Sequence, residues 1–327
     1  MDTAKLTVCR FGENPLISTH AAPNIGANVN GPSLIRVPDW LPNPLGKYYL
    51  YFADHKGPDI RLAYADELDG AWKIHDPGTL KLAESHFLTE PAAISPENQA
   101  RIDAGDFEPN GVEGVPTPID SATKPHIASP DVHVRHDRRE IVMYYHGLEA
   151  FRRQMTRVAT SKDGIHFEAR LPELAGPYLR AFEHDNQWYA MSMPGIFYRS
   201  SDGLSDFGRG PRLFPDTMRH AAVLKRANQL LVFWTNVGDR PEQILLSTID
   251  ISGDWSDWVP SDPTRVLSPQ EPYEGADQPL VPSVRDAINV SVNQLRDPAV
   301  FQEDGRTYLL YAIAGEAGIA GAEIVFG

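Results

Sequence analysis

The sequence predicts an all-β protein, specifically a five-bladed β-propeller, on three observations. A unit of two apolar strands joined by a tight turn recurs five times along the 327 residues. The 28 prolines and 25 glycines are spread without low complexity, which is typical of many short strands rather than long helices. Most units continue into a third and a fourth strand, and four antiparallel strands repeated around an axis describe a propeller. A β-sandwich with chance internal similarity is the alternative.

Each unit begins near a proline and runs into a strand rich in apolar and aromatic residues. The clearest is the last, where residues 296–301 lead through the turn Asp304-Gly305 into a second strand at 306–311. The outer strand of the fourth unit is predicted at residues 255–258. We expect the blades at about residues 31–83, 126–171, 175–214, 218–260 and 294–327.

The last unit lacks a fourth strand, and we expect the N-terminal segment at residues 5–11 to supply it. Closing the ring with both termini removes the exposed edges that a repeat array otherwise leaves. The whole chain, residues 1–327, is then one domain. Two long insertions, at about residues 84–125 and 262–293, interrupt the repeats, and insertions of this length are usually functional or disordered.

Composition excludes several classes of partner. The formal net charge of −14 argues against nucleic acid or anionic lipid, and no apolar run approaches the roughly 18 residues of a membrane span. The single cysteine, Cys9, excludes an internal disulfide framework. The opening residues 1–5 lack the features of a signal peptide, so a cytoplasmic location is expected, although a secreted or periplasmic protein without its signal would begin similarly. An oligomer is compatible with the sequence.

The starts of the five innermost strands should meet at one mouth of the channel. When the units are aligned on their prolines, the residue before the proline position is, in order, Gly31, Ser129, Gly176, His220 and Asp297. The preceding position holds Asn30, Arg219 or Arg296 in three units, and Asp131 follows the proline of the second. Ionisable residues at both positions occur only in the fourth and fifth units.

Other polar side chains are expected at the same mouth. His55 and His146 lie at strand ends that we interpret as equivalent, and His126 just precedes the second blade. The second insertion contributes Glu274 and Asp277. Aromatic rings such as Tyr178 and Tyr273 would stack on pyranose faces. A mouth of acids, histidines, arginines and rings suits a sugar, and glycoside cleavage needs one protonated acid with a carboxylate opposite.

The sequence resembles the five-bladed propeller glycosidases, the superfamily of arabinanases, β-xylosidases, fructan hydrolases and anhydro-galactosidases. The matching segments are residues 296–300, 128–132 and 176–178, each followed by a strand that carries tyrosine. The resemblance implies a hydrolase that removes a terminal sugar from a plant or algal oligosaccharide. Gly31 stands where these families usually place the base Asp, and Ala175 where they commonly place the acid Glu. The anhydro-galactosidase relatives use a histidine acid, which makes His220 a substitute.

These considerations give each residue a predicted role. Asp297 is the base or nucleophile, His220 or Glu274 the acid, and Asp131 a modulator of pKa. The residues predicted to bind the sugar are His55, His126, His146, Arg219, Arg296, Asp277, Tyr178 and Asn30. No cofactor is required; calcium or zinc in the channel is compatible with converging His and carboxylate groups, but no spacing motif supports it.

Two other functions stay open at this point. One is a polysaccharide lyase acting on a uronate-containing glycan, in which His220 or His146 takes the α-proton and an arginine neutralises the carboxylate. The other is a non-catalytic carbohydrate-binding propeller, which the absent standard acids favour. The sequence leaves open the sugar, its linkage and the assignment of acid and base.

Overall fold

The computed structural model describes residues 6–327, and these form five antiparallel sheets around a central channel. The five-bladed propeller predicted from the sequence is confirmed. In chain order the strands are β1 (Leu6–Arg10), β2 (Ile17–Ser18), β3 (Asn30–Arg36), β4 (Tyr48–Ala53), β5 (Asp59–Ala65), β6 (Lys73–Lys81), β7 (Ile127–Arg135), β8 (Glu140–Ala150), β9 (Arg153–Ser161), β10 (Glu168–Ala169), β11 (Arg180–His184), β12 (Gln187–Ser192), β13 (Ile196–Ser200), β14 (Gly208–Arg212), β15 (Met218–Arg226), β16 (Gln229–Asn236), β17 (Ile244–Asp250), β18 (Thr264–Leu267), β19 (Arg296–Glu303), β20 (Arg306–Ile313) and β21 (Gly318–Phe326).

The first four blades each use four consecutive strands, β3–β6, β7–β10, β11–β14 and β15–β18. The fifth combines β19, β20 and β21 with β1, and β2 also pairs with β21. The register from Leu6↔Phe326 to Arg10↔Ala322 closes the ring, as the sequence predicted. Lys5, the first residue of the predicted closing segment, lies outside the described residues. The innermost strands β3, β7, β11, β15 and β19 surround the channel.

An apolar cluster fills each gap between neighbouring blades. Tyr51 of blade one packs with Met143 of blade two, and Leu50 packs with Leu310 of blade five. The buried tyrosines also make polar contacts between blades: the Tyr51 hydroxyl donates to the Gly164 carbonyl at 2.8 Å, and Tyr144 donates to Gly203 at 2.6 Å. The repeated Asp-Gly turns of blades two and three therefore each receive a tyrosine from the preceding blade.

The outer strand of the fourth blade differs from the expectation. Residues Trp255–Asp257 form a 3₁₀ turn, because the Asp254 carboxylate accepts from the backbone N–H of Ser256. The outer strand is instead β18, which pairs with β17. The apolar residues at 255–258 gave a strand-like pattern because Trp258 is buried between blades, where its ring lies 5.2 Å from that of Tyr189.

The two insertions lie over one end of the channel. The first carries helices α1 (Pro96–Asp103) and α2 (Pro118–Thr123), each with proline in its first turn and a Ser or Thr cap. The insertions contact each other, since Asn289 N–H donates to the Gly114 carbonyl at 2.9 Å. Among residues 6–327, no helix is long and apolar enough to pass through a bilayer.

Candidate active site

Each blade has one residue in the left-handed backbone region close to the start of its innermost strand: inside the strand in four blades, and two residues before it in the third. In β3, for example, the ladder shifts by one residue between Asn30 and Ser33, which is a β-bulge. Such a conformation costs an L-residue about 1–2 kcal/mol, so its repetition in every blade marks a constrained position. The five residues, with φ between 42° and 60°, are Gly31, Ser129, Tyr178, His220 and Asp297.

The third blade corrects the alignment made from the sequence. The Pro177 carbonyl accepts from Met193 N–H at 3.0 Å, and Arg180 pairs with Met191, so the bulge falls at Tyr178. Alignment on the proline had placed Gly176 there, because the proline of this blade precedes the bulge instead of following it. Tyr178 is consequently the residue that the third blade presents at the channel mouth.

Tyr178 is the first member of a buried hydrogen-bonded relay. Its hydroxyl donates to His55 Nε2 at 2.7 Å, and His55 Nδ1 lies 2.9 Å from Glu316 Oε1. The carboxylate can only accept, so the proton of a neutral His55 sits on Nδ1 and leaves Nε2 free to accept from Tyr178. Burial and the Asp297 carboxyl raise the pKa of Tyr178 well above its ordinary value, so the phenol stays protonated.

Two arginines predicted to bind sugar, Arg219 and Arg296, take part in an alternating ion network. Arg219 Nε lies 2.9 Å from Glu242 Oε1, and Arg296 Nη1 lies 2.9 Å from Glu316 Oε1. Arg296 Nε is also 3.7 Å from Glu242, which links the two pairs. Burial opposes ionisation, but His55 and Arg296 hold the pKa of Glu316 well below its usual range. Glu242 and Glu316 were not among the predicted site residues.

Asp297 is the unusual acid of the site. It is 1% exposed, and neither carboxyl oxygen has a hydrogen-bond partner among the described residues. Burial, together with the nearby Glu316 carboxylate, raises the pKa of Asp297 to about 7. His220 Nδ1 is 3.6 Å from Asp297 Oδ2, and burial and Arg219 lower the pKa of His220 well below its ordinary value. At neutral pH the pair therefore combines a proton-bearing carboxyl with a neutral imidazole.

The two remaining histidines predicted at the mouth, His126 and His146, lie near this pair. The His146 ring lies 4.3 Å from Tyr178, and neither of its nitrogens has a partner in the described structure. His126 is 5.9 Å from His146, and its Nδ1 contacts the Lys124 carbonyl at 2.8 Å. Burial lowers the pKa of both well below the usual value, so both are neutral. His55 and His146 are not at equivalent positions, because His146 lies inside β8 and His55 lies beyond the end of β4.

Two predicted residues, Glu274 and Asp277, lie in other surroundings. Glu274 is a correction: both oxygens are occupied, one by Arg10 Nε and the Tyr311 hydroxyl at 2.8 Å, the other by Arg10 Nη2 and backbone N–H groups. It joins the second insertion to β1 and β20 of the fifth blade and is unsuited to proton transfer. Asp277 is exposed on its loop and contacts only Gln278 within the described residues.

Asp131 connects two blades. Its Oδ2 accepts from Ala181 N–H and contacts His133 Nε2, both at 2.8 Å, and His133 and Arg180 lower its pKa despite burial. Asn30 is fully buried at the mouth, with no partner for either side-chain polar atom among residues 6–327. Its neighbour Gly31 is close-packed, since a Cβ there would lie 2.9 Å from Ser129 Cα.

A small cavity of about 130 Å³ opens beside this cluster. His55, Tyr178, Arg219 and His220 form its base, and residues of the turn after β4 and of the two insertions form its walls. Asp297 lies behind His220. The wall residues were not predicted from the sequence; the main ones are Lys56, Ser121, Arg285 and Asp286. No cluster of three or more His, Cys, Asp or Glu suited to a metal occurs among residues 6–327.

Known proteins resemble this chain in sequence and in fold. No family model matches it. Solved structures with the same fold include a family-43 β-xylosidase/α-arabinofuranosidase from a compost microbial metagenome in complex with xylotriose (TM-score 0.55, 11% identity, 98% of this chain and 94% of that one). An α-L-arabinanase from Cellvibrio cellulosa complexed with arabinohexaose has a TM-score of 0.50 at 12% identity and covers 91% of both chains. An α-L-arabinofuranosidase from Lactobacillus brevis gives 0.52 at 12%, over 95% and 92%.

At these identities the solved structures show the shared fold, and the resemblance inferred from the sequence is confirmed at that level. Sequence similarity is much higher to the uncharacterized protein R118 of Acanthamoeba polyphaga mimivirus. The two are 33% identical over 352 residues, which covers 99% of this chain and 92% of that protein. The chain belongs to the family of that mimivirus protein and shares the five-bladed propeller fold of the family-43 glycoside hydrolases.

Proposed function

We propose that this chain is a glycoside hydrolase that releases a terminal sugar from an oligosaccharide in the cavity formed by Tyr178, His55 and His220. The observation that carries the proposal is Asp297, a fully buried carboxyl with no hydrogen-bond partner among residues 6–327 and a pKa raised to about 7, placed behind a neutral histidine that lines the cavity. A buried acid that holds its proton near neutral pH is what leaving-group protonation requires.

The proton passes to the leaving group through His220. In this mechanism Nε2 of His220 donates its proton to the glycosidic oxygen while Nδ1 takes the proton of the Asp297 carboxyl. The sugar C–O bond breaks and the leaving alcohol departs neutral. The 3.6 Å separation of Nδ1 and Oδ2 has to shorten by about 0.5 Å, a tightening common when a substrate closes an active site. This assigns Asp297 to the acid side and not to the base or nucleophile role expected from the sequence.

The Tyr178 relay activates the attacking water. The water oxygen bonds to the anomeric carbon as its proton passes to the Tyr178 oxygen, and the phenolic proton moves to His55 Nε2. Glu316, 2.9 Å from His55 Nδ1, stabilises the imidazolium that forms. The ring centres of Tyr178 and His220 are 5.0 Å apart, so the two proton-transfer units face one small space.

Two further facts support a terminal sugar as the substrate. Relatives in fold have been solved with arabinohexaose and with xylotriose, so this architecture accommodates carbohydrate chains. The cavity of about 130 Å³ is small, and neighbouring cavities of about 310 and 600 Å³ share Ser121 with it. The small cavity suits one terminal ring, and the larger ones suit the rest of an oligosaccharide.

A lyase is the second candidate, favoured by the contact between the Tyr178 hydroxyl and His55 in a cavity that also holds two arginines. In a lyase the Tyr–His unit takes the proton α to a uronate carboxylate, and the glycosidic oxygen leaves with formation of a C–C double bond. The required groups are the same, and only the products differ.

Product analysis on a panel of neutral and uronate oligosaccharides tests both mechanisms. Mass spectrometry detects the added water of hydrolysis, and near-ultraviolet absorbance detects the unsaturated product of elimination. We expect hydrolysis products, lost in Asp297→Asn and retained in the matched control Asp277→Asn, which alters an exposed loop acid. Intact glycans throughout, or full activity in Asp297→Asn, would overturn the proposal; unsaturated products would establish the lyase.

A further inference from the structure

The cavity contains positive charge that neither proton-transfer unit uses. Lys56 is 6% exposed, and its ammonium lies 3.9 Å from Asp286 Oδ1 and 3.5 Å from the Ser121 carbonyl. Arg285 contacts the Asp216 carbonyl at 2.7 Å and Met193 Sδ at 3.8 Å, and no carboxylate lies within 4 Å of it in the described structure. A buried ammonium without a close partner is costly, which points to a missing counter-charge.

The other charged residues of the cavity do not supply this counter-charge. Arg219 is already paired with Glu242 through two hydrogen bonds. Asp286 is the one carboxylate among the cavity-lining residues described, and its oxygens already accept from the Ala287 N–H and the Ser121 hydroxyl. Two cations thus face the cavity with one partly engaged carboxylate. This excess stands out in a chain whose net charge is −14.

The backbone fixes Lys56 beside the relay. It follows His55 in the turn after β4, where the Asp54 carboxylate accepts from Lys56 N–H at 2.9 Å and the Asp54 carbonyl accepts from Gly57 N–H at 3.0 Å. A ligand group bound to Lys56 would therefore lie next to the Tyr178–His55 pair. Arg285 offers a planar donor pair that matches the two oxygens of a carboxylate or of a sulfate ester.

We propose that the sugar entering this cavity carries an anionic substituent, a carboxylate or a sulfate ester, which Lys56 and Arg285 bind. That the ligand is a sugar rests on the proposed function; the anionic substituent specifies the substrate class of the same site. The anion supplies a closer counter-charge for the buried Lys56 ammonium than Asp286 at 3.9 Å, and it orients the ring so that the anomeric carbon faces Tyr178 and His220.

Calorimetric binding of monosaccharides tests the substituent without requiring turnover. The probes are glucuronate, galacturonate, glucose 6-sulfate and galactose 6-sulfate, each compared with its neutral parent, glucose or galactose. We expect at least one anionic sugar to bind 10-fold or more tightly than its parent, with an affinity that falls as salt increases. The uronates and the sulfates distinguish the two sources of the anion.

Substitutions test whether the anionic sugar binds at Lys56 and Arg285. Lys56→Met and Arg285→Gln should each weaken the anionic sugar 10-fold or more, whereas Lys124→Met, a lysine that lines only the neighbouring cavity, should not. Arg285 is exposed, so its variant folds even if Lys56→Met does not. Equal affinity for charged and neutral sugars, binding of none of the probes, or unchanged affinity in Arg285→Gln would overturn the inference.

The outcomes separate this inference from the proposed function. Charged-sugar binding without any cleavage of oligosaccharides would remove the hydrolase and keep the anionic subsite. Cleavage of neutral oligosaccharides without preference for charged probes would keep the hydrolase and remove the anionic subsite.

Discussion

Asp297→Asn should make the protein more stable at alkaline pH while abolishing the proposed hydrolase activity. The folded state keeps a proton on Asp297 up to about pH 7, whereas the unfolded chain releases it above roughly pH 4. Between these values the folded state binds more protons, so its stability declines as the pH rises through the pKa of the folded protein. Asparagine has no such proton to lose.

The magnitude follows from linkage. A displacement of about 3 pH units at about 1.4 kcal/mol each corresponds to a destabilisation by Asp297 of about 4 kcal/mol above pH 8, of which the smaller part is already present at pH 5. Glu316 does not disturb the comparison, because its pKa is lowered and it is ionised in both states above about pH 5. The stability difference between Asp297→Asn and wild type should therefore grow by roughly 3 kcal/mol from pH 5 to pH 9.

Urea unfolding of both proteins at several pH values measures this difference. Asp131→Asn is the matched control with the opposite sign, since the pKa of Asp131 is lowered and its contribution to stability is lost as the pH falls. That variant should be destabilised at neutral pH and approach wild type in acid. A constant difference for Asp297→Asn across the pH range would refute a raised pKa, and with it the acid role of this residue.

Three other changes have definite expected results. Tyr178→Phe should lower kcat by roughly 10²-fold or more with little change in KM, because it breaks the contact with His55. Tyr51→Phe, which loses a buried hydrogen bond to Gly164 and does not line the cavity, should leave kcat unchanged. Glu242→Gln should cost about 3–5 kcal/mol in urea unfolding by leaving Arg219 and Arg296 buried without their shared carboxylate, and Glu323→Gln, in an exposed pair, should change little. Gly31→Ala should destabilise more than the Gly305→Ala control, which shares a positive φ but has open space, since the new methyl would lie 2.9 Å from Ser129 Cα; equal losses would contradict close packing at the mouth.

The architecture was predictable because strand periodicity is a local property. Buried tyrosines recur in the second strands of several blades, and Tyr51 and Tyr144 each donate to the Asp-Gly turn of the next blade. The boundaries of the blades were harder to predict from the sequence. The sequence around Trp258 predicted a strand, but Trp258 is buried because its ring packs against Tyr189 of the neighbouring blade, and it does not belong to a sheet.

The positions of the site residues were only partly predictable. Asp297 and His220 were recognised because each lies at the start of an innermost strand, where the bulge turns it toward the mouth. Glu274 was misassigned because sequence shows an acid beside an aromatic but not the guanidinium of Arg10, which is 264 residues away in the chain. Asp286 and Arg285 were missed because an irregular insertion offers no periodic pattern from which the direction of a side chain can be inferred.

The sequence also contains a pattern that predicts the two buried carboxylates, Glu242 and Glu316. Arg219 and Arg296 occupy the same position in blades four and five, and a guanidinium at a channel mouth crowded by five strands must be buried with an acid. The acid is expected in the loop after the second strand of the same blade, because antiparallel pairing places the end of the second strand beside the start of the first strand. Glu242 and Glu316 stand there, 23 and 20 residues after their arginines, and both form the expected pair. Blade one places His55 in the corresponding loop and has Asn30 in place of arginine, so its histidine is free to contact Glu316 on one side and Tyr178 on the other. The site thus arises from one repeated structural position in which the fourth and fifth blades supply charge pairs, and the first supplies the group that can accept a proton.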